Sequence, residues 1–397
     1  MDSGVLCACP ARRAIALLVA AVSLSVGRVW AAPPAFRPPA VPLVTHDPYF
    51  SVWSCRDKLT DDWSKHWTGA THALCGLVRI DGTTFRYAGP YPPDAPAMEQ
   101  GALRLTPTRT IYTFAGGGVE LTLTFLSPLV PDDLDLLSRP ATYVTWAVKS
   151  TDGAPHDVSV YLDVSGEWCV NTTDQPVYAS RVRVADADVL RLGTQGQPVL
   201  AKRGDDLRID WGHLYLAAPS APGLQTVIQA DRAVRDAVVR AVRLPADDDL
   251  RFPRAARDAW PVLACLYDLG RVDARPATRT VVLAYDDEFS IEYFHRKLRP
   301  YWRRSAADAT DLLRSAIREH REIEQRCAAF DEKLTADLRH VGGEKYAALA
   351  TLAYRQCLAA HKLAADWDTT PLMFSKENFS NGCIATVDVI YPAARSE

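Results

Sequence analysis

The sequence predicts a multidomain β + α protein, an antiparallel β-sandwich followed by a helical region. Three observations support this. Apolar and polar residues alternate in short runs between residues 73 and 285, and the apolar period changes to that of a helix from residue 289. The 397 residues are 48% apolar and 23% charged, which is the balance of a globular protein large enough for two or three domains.

The N-terminus has the pattern of a signal peptide over residues 1–31. Arg12 and Arg13 precede an apolar run at 14–26, and Ala31 provides the small residue of a cleavage site. This run is shorter than the roughly 20 residues that span a bilayer. We therefore expect a secreted or periplasmic protein with no membrane partner after cleavage. A formal charge of −3 predicts no nucleic-acid partner.

The sandwich is predicted over residues 32–288, after a Pro-rich lead. Apolar and polar residues alternate in residues 119–125. The same period appears in residues 158–164, where one face is formed by Val158, Val160, Leu162 and Val164. Turn signals such as Asp81-Gly82 separate the strands. Further strands are predicted at 76–80, 85–87, 141–148, 181–184, 206–211, 214–217, 262–269 and 280–284.

The helical region is predicted over residues 289–397. A short linker helix is expected at 289–298 and a long helix at 306–330, and Gly342-Gly343 separates the latter from a second long helix at 344–366. The second long helix is apolar on most sides, so it needs neighbours on both faces. One helical hairpin cannot supply them, which predicts an incomplete helical domain.

Several chemistries are disfavoured by what the sequence lacks. It has no Gly-rich phosphate loop before a helix, no GxSxG and no HExxH. Of nine cysteines, Cys7 and Cys9 lie in the signal peptide, and the seven others are widely spaced, which favours buried thiols with at most one disulfide. We expect no metal and no cofactor. Carboxylate chemistry remains, as does a Ser or Thr nucleophile supported by Lys or Asp.

The richest candidate site is the run of residues 371–392. Glu377 and Asp388 could serve as general acid and base, and Lys376 and Asn381 could hold a carboxylate or amide oxygen. Each residue also has a structural explanation. Asp388 could cap a helix, Lys376 and Glu377 could form a solvated pair, and Asn381-Gly382 could be only a turn. The density of polar groups between apolar residues predicts a pocket wall.

A second dense cluster of aromatic and polar residues lies near the start of the sandwich. It comprises His46, Asp47, Trp63, His66 and Trp67. Such a cluster suits ligand contact, and it equally suits rings that seal a domain edge.

Three long motifs resemble the glutaminase A family of secreted bacterial and fungal proteins. They are residues 45–54, 61–69 and 374–392. The resemblance implies an N-terminal β-sandwich followed by the start of an (α/α)6 toroid, as in six-hairpin glycosidases. It also implies a pocket wall that contains Lys376, Glu377, Asn378, Ser380, Asn381, Gly382, Thr386 and Asp388. Because family members continue well beyond the last motif, we expect this chain to hold only the first toroid hairpin.

The resemblance implies hydrolysis of glutamine to glutamate and ammonia. For this reaction we expect Glu377 and Asp388, the two carboxylates of the segment, to be the catalytic residues. Substrate contacts are then expected from Lys376, Asn378, Ser380, Asn381, Thr386, Trp63, His66 and Trp67. Two alternatives remain open. One is a glycoside hydrolase on the same scaffold, and the other is a non-catalytic sandwich that binds a glycan or a protein. The sequence leaves the oligomeric state open.

Overall fold

Two antiparallel sheets packed face to face form the body of the molecule. The computed structural model describes residues 36–241, 243–377 and 382–393, so the predicted signal peptide lies outside the described residues. Strands β1–β20 and helices α1–α4 are numbered in chain order. The larger sheet has nine strands, which lie in the order β14 (Arg254–Ala255), β10 (Pro176–Val184), β11 (Ala187–Thr194), β12 (His213–Pro219), β16 (Ala277–Asp286), β8 (Ala141–Ser150), β7 (Val119–Leu126), β6 (Arg109–Gly116) and β5 (Glu99–Leu105).

Five strands form the smaller sheet of the sandwich, and two short sheets complete the described β-structure. The smaller sheet has the order β13 (Leu224–Ala230), β15 (Pro261–Val272), β9 (His156–Ser165), β3 (Leu74–Ile80) and β4 (Thr83–Ala88). The short sheets are β1 (Val41–Asp47) with β2 (Phe50–Ser54), and β17 (Ile291–Tyr293), β18 (Arg296–Pro300), β19 (His361–Ala365) and β20 (Pro371–Ser375). The helices are α1 (Leu134–Ser138), α2 (Asp231–Ala241), α3 (Ala309–Ala359) and α4 (Val387–Ala393).

The predicted alternation decides which side chains fill the sandwich. Val158, Val160, Leu162 and Val164 of β9 all lie in the main core, where they meet the alternating apolar residues of β7 and β8. Burying these side chains on one face of each sheet is what holds the two sheets together. The prediction of an antiparallel β-sandwich is therefore confirmed.

Both outer faces of the sandwich are covered by helices. Helix α2 lies on the smaller sheet, where Val234 and Val238 pack with Tyr161, and Arg235 forms a fully buried bidentate pair with Asp163. Helix α3 packs on the larger sheet through an apolar stripe that meets β8, β11, β12 and β16. The sequence pattern predicts helices only after the sandwich, so α2, which lies between two strands of the sandwich, was not predicted.

Helix α3 differs in its bounds from the two predicted long helices. Asp308 caps its start with a reciprocal capping box to Asp311, and the break falls at Gly343, whose φ of 76° is left-handed. The predicted break at Gly342-Gly343 is therefore confirmed. The helix before it, predicted to end at residue 330, extends as far as the break. The second half ends at Ala359, and the residues predicted to continue it form β19 instead.

The predicted linker helix at 289–298 is wrong. These residues form the hairpin of β17 and β18, in which Tyr293 pairs with Arg296. The two loop residues, Phe294 and His295, have φ values of 49° and 63°. Two consecutive left-handed residues make the tight turn that matches strand twist, and a right-handed helix cannot contain them. The turn is hard to recognise because neither residue is Gly, Asn or Asp.

The strand predicted at 206–211 is also wrong. In this segment the N–H of Arg208 donates to the Asn171 side chain at 3.0 Å, and the Asp210 carboxylate accepts from Lys202 at 2.7 Å. Local side-chain partners thus replace the ladder of backbone hydrogen bonds that a strand would need.

Among the described residues all seven cysteines are free, so the structure contains no disulfide there.

No described helix is long and apolar enough to cross a membrane. The described residues also contain no group of three or more His, Cys, Asp or Glu side chains arranged to hold a metal ion.

Candidate functional site

The hairpin of β19 and β20 positions the segment that carries the richest motif. Just after β20, the Lys376 N–H donates to the Ala360 carbonyl at 3.0 Å. The Glu377 N–H donates to the Cys383 carbonyl at 2.8 Å, and Ala385 returns a bond to Ser375. The chain therefore doubles back on itself after Glu377. Three predicted substrate-binding residues, Asn378, Ser380 and Asn381, lie outside the described residues.

Lys376 is buried, and its ammonium has defined partners. Nζ donates to the carbonyl oxygen of Asp205 at 2.8 Å and to that of Glu377 at 3.2 Å, and it lies 5.2 Å from the centroid of the Trp67 indole. Burial lowers the pKa of Lys376, and the charges of Asp205 and Asp206 only partly offset this. The ammonium therefore sits where three distant parts of the sequence meet.

Trp67 and His66 form the wall opposite this lysine. Trp67 Nε1 donates to the Pro48 carbonyl at 2.6 Å, and its ring centroid lies 5.3 Å from that of His66. Burial holds the pKa of His66 well below its ordinary value, so the ring is neutral. Its Nδ1 accepts from the Thr68 N–H at 3.3 Å, which leaves the ring proton on Nε2.

A second neutral histidine stands behind the first. The ring centroids of His72 and His66 are 5.1 Å apart, and His72 Nδ1 donates to the Ser51 carbonyl at 3.2 Å. Burial lowers the pKa of His72 to about 3. Burial also raises the pKa of the nearby Glu167 to about 7. Burial therefore keeps His66 and His72 uncharged at neutral pH, whereas Glu167 is only partly ionised there.

Two cavities are lined by neighbours of Lys376, although the Lys376 side chain itself lines neither of them. The first, about 730 Å³ up to its open mouth, is lined by His66, Trp67 and the C-terminal end of α3 at Ala359. The second is a cleft of about 1580 Å³, bounded by the loop at 200–207 and by Gly382, Cys383 and Ile384.

Gly382 is required where the returning chain meets the loop at 200–207. Its φ is 68°, a left-handed value, and a Cβ there would lie 2.0 Å from the carbonyl oxygen of Gly204. No side chain fits at that distance. The close approach of these two backbones fixes the wall of the second cavity.

The remaining predicted site residues occupy different environments. Glu377 is half-buried beside Lys376, whereas Asp388 is exposed in the first turn of α4. The Thr386 carbonyl accepts the first hydrogen bonds of α4, and its buried hydroxyl oxygen has no hydrogen-bond partner among the described residues. Trp63 lies elsewhere. It packs against Trp260 and Arg235 and lines a separate cleft.

A buried charge cluster near the site was missed by the sequence analysis. Lys362 of β19 lies 2.7 Å from Asp47 and 2.8 Å from Asp287, and all three side chains are buried. Burial opposes the charge of Lys362, but the two carboxylates outweigh it and raise its pKa. This cluster ties the β1–β2 turn to β19. The only signal was a single lysine within an apolar stretch that predicted a helix.

Three family descriptions match successive parts of the chain. Residues 14–92 match a domain of unknown function (DUF4964), and residues 108–337 match a second domain of unknown function (DUF5127). Residues 343–395 match the glutaminase A six helical-hairpin domain. A protein of Aspergillus oryzae named glutaminase A is 31% identical over 374 residues, which cover 90% of this chain and 53% of that protein.

The chain belongs to the glutaminase A family. A second relative, from Arthroderma benhamiae and named "Probable glutaminase", is 25% identical over 392 residues, which cover 90% of this chain and 44% of that protein. The chain thus spans about half the length of the curated relatives it matches.

The three matched regions of this glutaminase A family chain all contribute to the surroundings of Lys376. Trp67 comes from the first region, Asp205 from the second, and Lys376 itself from the third. Segments that are far apart in the sequence are therefore combined at one place by the fold.

Proposed function

We propose that this chain carries part of the active site of an exported glutaminase, which hydrolyses the side-chain amide of glutamine to glutamate and ammonia. The observation that carries the proposal is the meeting of three matched regions around Lys376, in a chain 31% identical to a protein named glutaminase A. The apolar N-terminal segment with its basic start supports export.

Amide hydrolysis needs two proton transfers. A base removes a proton from the attacking water, and an acid protonates the departing nitrogen so that it leaves as ammonia. We assign these roles to Glu377 and Asp388. Both carboxylates lie on the segment that follows Lys376, and Glu377 is held there by its own backbone bond to Cys383.

Lys376 has a donor to offer a substrate. Two of its three N–H bonds go to the carbonyls of Asp205 and Glu377. We assign the third to a substrate oxygen, since an ammonium in a partly dry site binds carbonyl and carboxylate oxygens strongly. His66 and Trp67 then form one wall of the pocket, and Asn378, Ser380, Asn381 and Thr386 supply further polar contacts.

We propose further that the chain from Gly343 on forms the first hairpin of an (α/α)6 toroid whose other hairpins complete the pocket. The match of residues 343–395 to a six helical-hairpin domain supports this. The exposed apolar side chains of Val341, Tyr346 and Leu349 on α3 support it as well, because they form a face that further helices could cover.

The test is release of ammonia from L-glutamine by the longest polypeptide that the gene encodes, assayed beside L-asparagine and a panel of glycans. Glu377→Gln and Asp388→Asn should each lower kcat/KM by a factor of at least about 100, on the scale of a lost general acid or base. Glu332→Gln, an exposed residue of α3, is the matched control and should leave the rate unchanged.

Release of sugar without ammonia would refute the proposal in favour of a glycoside hydrolase on this scaffold. Ammonia release that survives both carboxylate substitutions would refute the residue assignment alone.

A further inference from the structure

A separate cleft is lined by Trp63, a residue of the motif at 61–69. Trp63 is only four residues from Trp67, yet its ring lines this separate cleft of about 1150 Å³ on the smaller sheet, together with Tyr91 and Trp260. Trp63 was predicted to contact the substrate, but its position in this cleft separates it from the residues to which we assign glutamine hydrolysis, and none of those residues lines the cleft. Ligand binding in this cleft is therefore independent of the proposed glutamine hydrolysis.

Three aromatic rings line the cleft and are held by their neighbours. Trp63 and Trp260 meet edge to face with centroids 5.6 Å apart, and the buried guanidinium of Arg235 lies 4.8 Å from the Trp63 centroid. Gly89 makes room for the Trp63 ring, since a Cβ there would lie 2.6 Å from it. The Tyr91 hydroxyl donates to Asp236 at 2.9 Å. The rings thus form a fixed wall.

Two cationic side chains stand at the same cleft with their donors unused. The guanidinium groups of Arg232 and Arg257 are exposed, and neither forms a hydrogen bond or an ion pair with any of the described residues. Arg232 lies over the ring of Tyr91, with 5.8 Å to its centroid. The carboxylate that lines the cleft, Asp231, is already paired with Arg235 at 2.9 Å.

This combination defines the chemistry of a ligand. Aromatic rings in an open cleft pack against the C–H face of a pyranose ring, while unused guanidinium donors bind a carboxylate or sulfate with paired hydrogen bonds. A neutral sugar would leave both arginines without a partner. The volume of the cleft, about 1150 Å³, also leaves room for more than one sugar ring.

We propose that the cleft lined by Trp63, Tyr91, Trp260, Arg232 and Arg257 binds an acidic saccharide, with a pyranose ring on the aromatic wall and its anionic group on the arginines. The anionic group can be the carboxylate of a uronate or a sulfate ester. Both have the planar or forked oxygens that a guanidinium recognises.

The experiment titrates the whole chain with three hexasaccharides in a calorimeter: hexagalacturonate, a sulfated carrageenan hexamer and neutral galactohexaose. At least one acidic hexamer should bind, and galactohexaose should bind at least about tenfold more weakly, which is the effect of losing one charge-assisted contact. The two acidic hexamers distinguish the carboxylate from the sulfate as the recognised group.

Two sets of variants locate the binding. Trp260→Ala and the double variant Arg232→Gln/Arg257→Gln should each weaken binding of the acidic hexamer about tenfold. The matched controls are Trp367→Ala, an exposed tryptophan that also stacks with an arginine, and Arg271→Gln/Arg275→Gln, exposed arginines outside the cleft. These controls should bind as the unchanged chain does.

Three results would overturn the proposal: binding of galactohexaose as tight as that of the acidic hexamers, unchanged binding by the double arginine variant, or no binding of any hexamer at millimolar concentration. The arginine variant keeps the test decisive if Trp260→Ala fails to fold, because its side chains are exposed.

Discussion

Two buried lysines of one hairpin have opposite surroundings. Lys362 of β19 is matched by the carboxylates of Asp47 and Asp287, and its pKa is raised. Lys376, directly after β20, is held by two carbonyl oxygens and lies over an indole, and its pKa is lowered. The first lysine fastens two parts of the fold together. The second retains an incompletely matched charge, which is typical of groups that act on ligands.

The largest effect should come from removing the matched lysine. Lys362→Met leaves the carboxylates of Asp47 and Asp287 buried without their shared counter-ion, so we expect the free energy of unfolding to fall by about 3–5 kcal/mol. Urea unfolding followed by tryptophan fluorescence measures this. Lys297→Met, an exposed lysine of β18, should change it by less than about 0.5 kcal/mol. An equal loss in both variants would contradict a structural role for the cluster.

Removing the other lysine should cost less stability. Lys376→Met leaves the carbonyls of Asp205 and Glu377 without their donor, but it leaves no carboxylate of a buried salt bridge unpaired. We expect a loss of about 1–3 kcal/mol, measured by the same urea unfolding. If Lys376→Met lowered the free energy of unfolding as much as Lys362→Met does, the different partners of the two lysines would not determine their contributions to stability.

The neutral histidines behind Trp67 should make stability depend on pH. The pKa of His72 is lowered from 6.5 to about 3 in the folded chain, so below pH 6.5 the unfolded chain takes up a proton that the folded chain does not. The contribution of neutral His72 to the free energy of unfolding is fully present above pH 6.5 and is lost as the pH falls towards 3. One such proton contributes about 1.4 kcal/mol per pH unit.

The substitution His72→Asn keeps a donor near Nδ1 and removes the titration. We therefore expect the slope of unfolding free energy against pH, measured between pH 4 and 6, to fall by that single-proton amount. His295→Gln, whose side chain is fully exposed, should leave the slope unchanged. An unchanged slope in His72→Asn would show that the His72 ring is already charged when folded.

The sandwich was predictable because its signal is local. Alternation in residues 119–125 and 158–164 places every second side chain in the core, whatever the rest of the chain does. The break at Gly343 was predictable for the same reason, since glycine adopts the left-handed conformation that ends a helix.

The site was only partly predictable because it depends on long-range contacts. The motifs indicated His66, Trp67 and Lys376, but no spacing along the chain could place Lys376 on Asp205 or Trp67 on Pro48. Lys362 was missed because its partners lie 315 and 75 residues away in sequence. Trp63 and Trp67 belong to one motif, yet they line different cavities, which their spacing along the chain could not show.

The most direct test of the account is the effect of the two lysines on glutamine hydrolysis, measured as kcat/KM for ammonia release by the longest polypeptide that the gene encodes. With folding of each variant verified by unfolding curves, Lys376→Met should lower kcat/KM by a factor of at least about 100, the scale of a lost charged contact in a dry site. Folded Lys362→Met should keep most of the activity. A folded Lys376→Met variant with unchanged ammonia release would contradict the placement of the active site at Lys376.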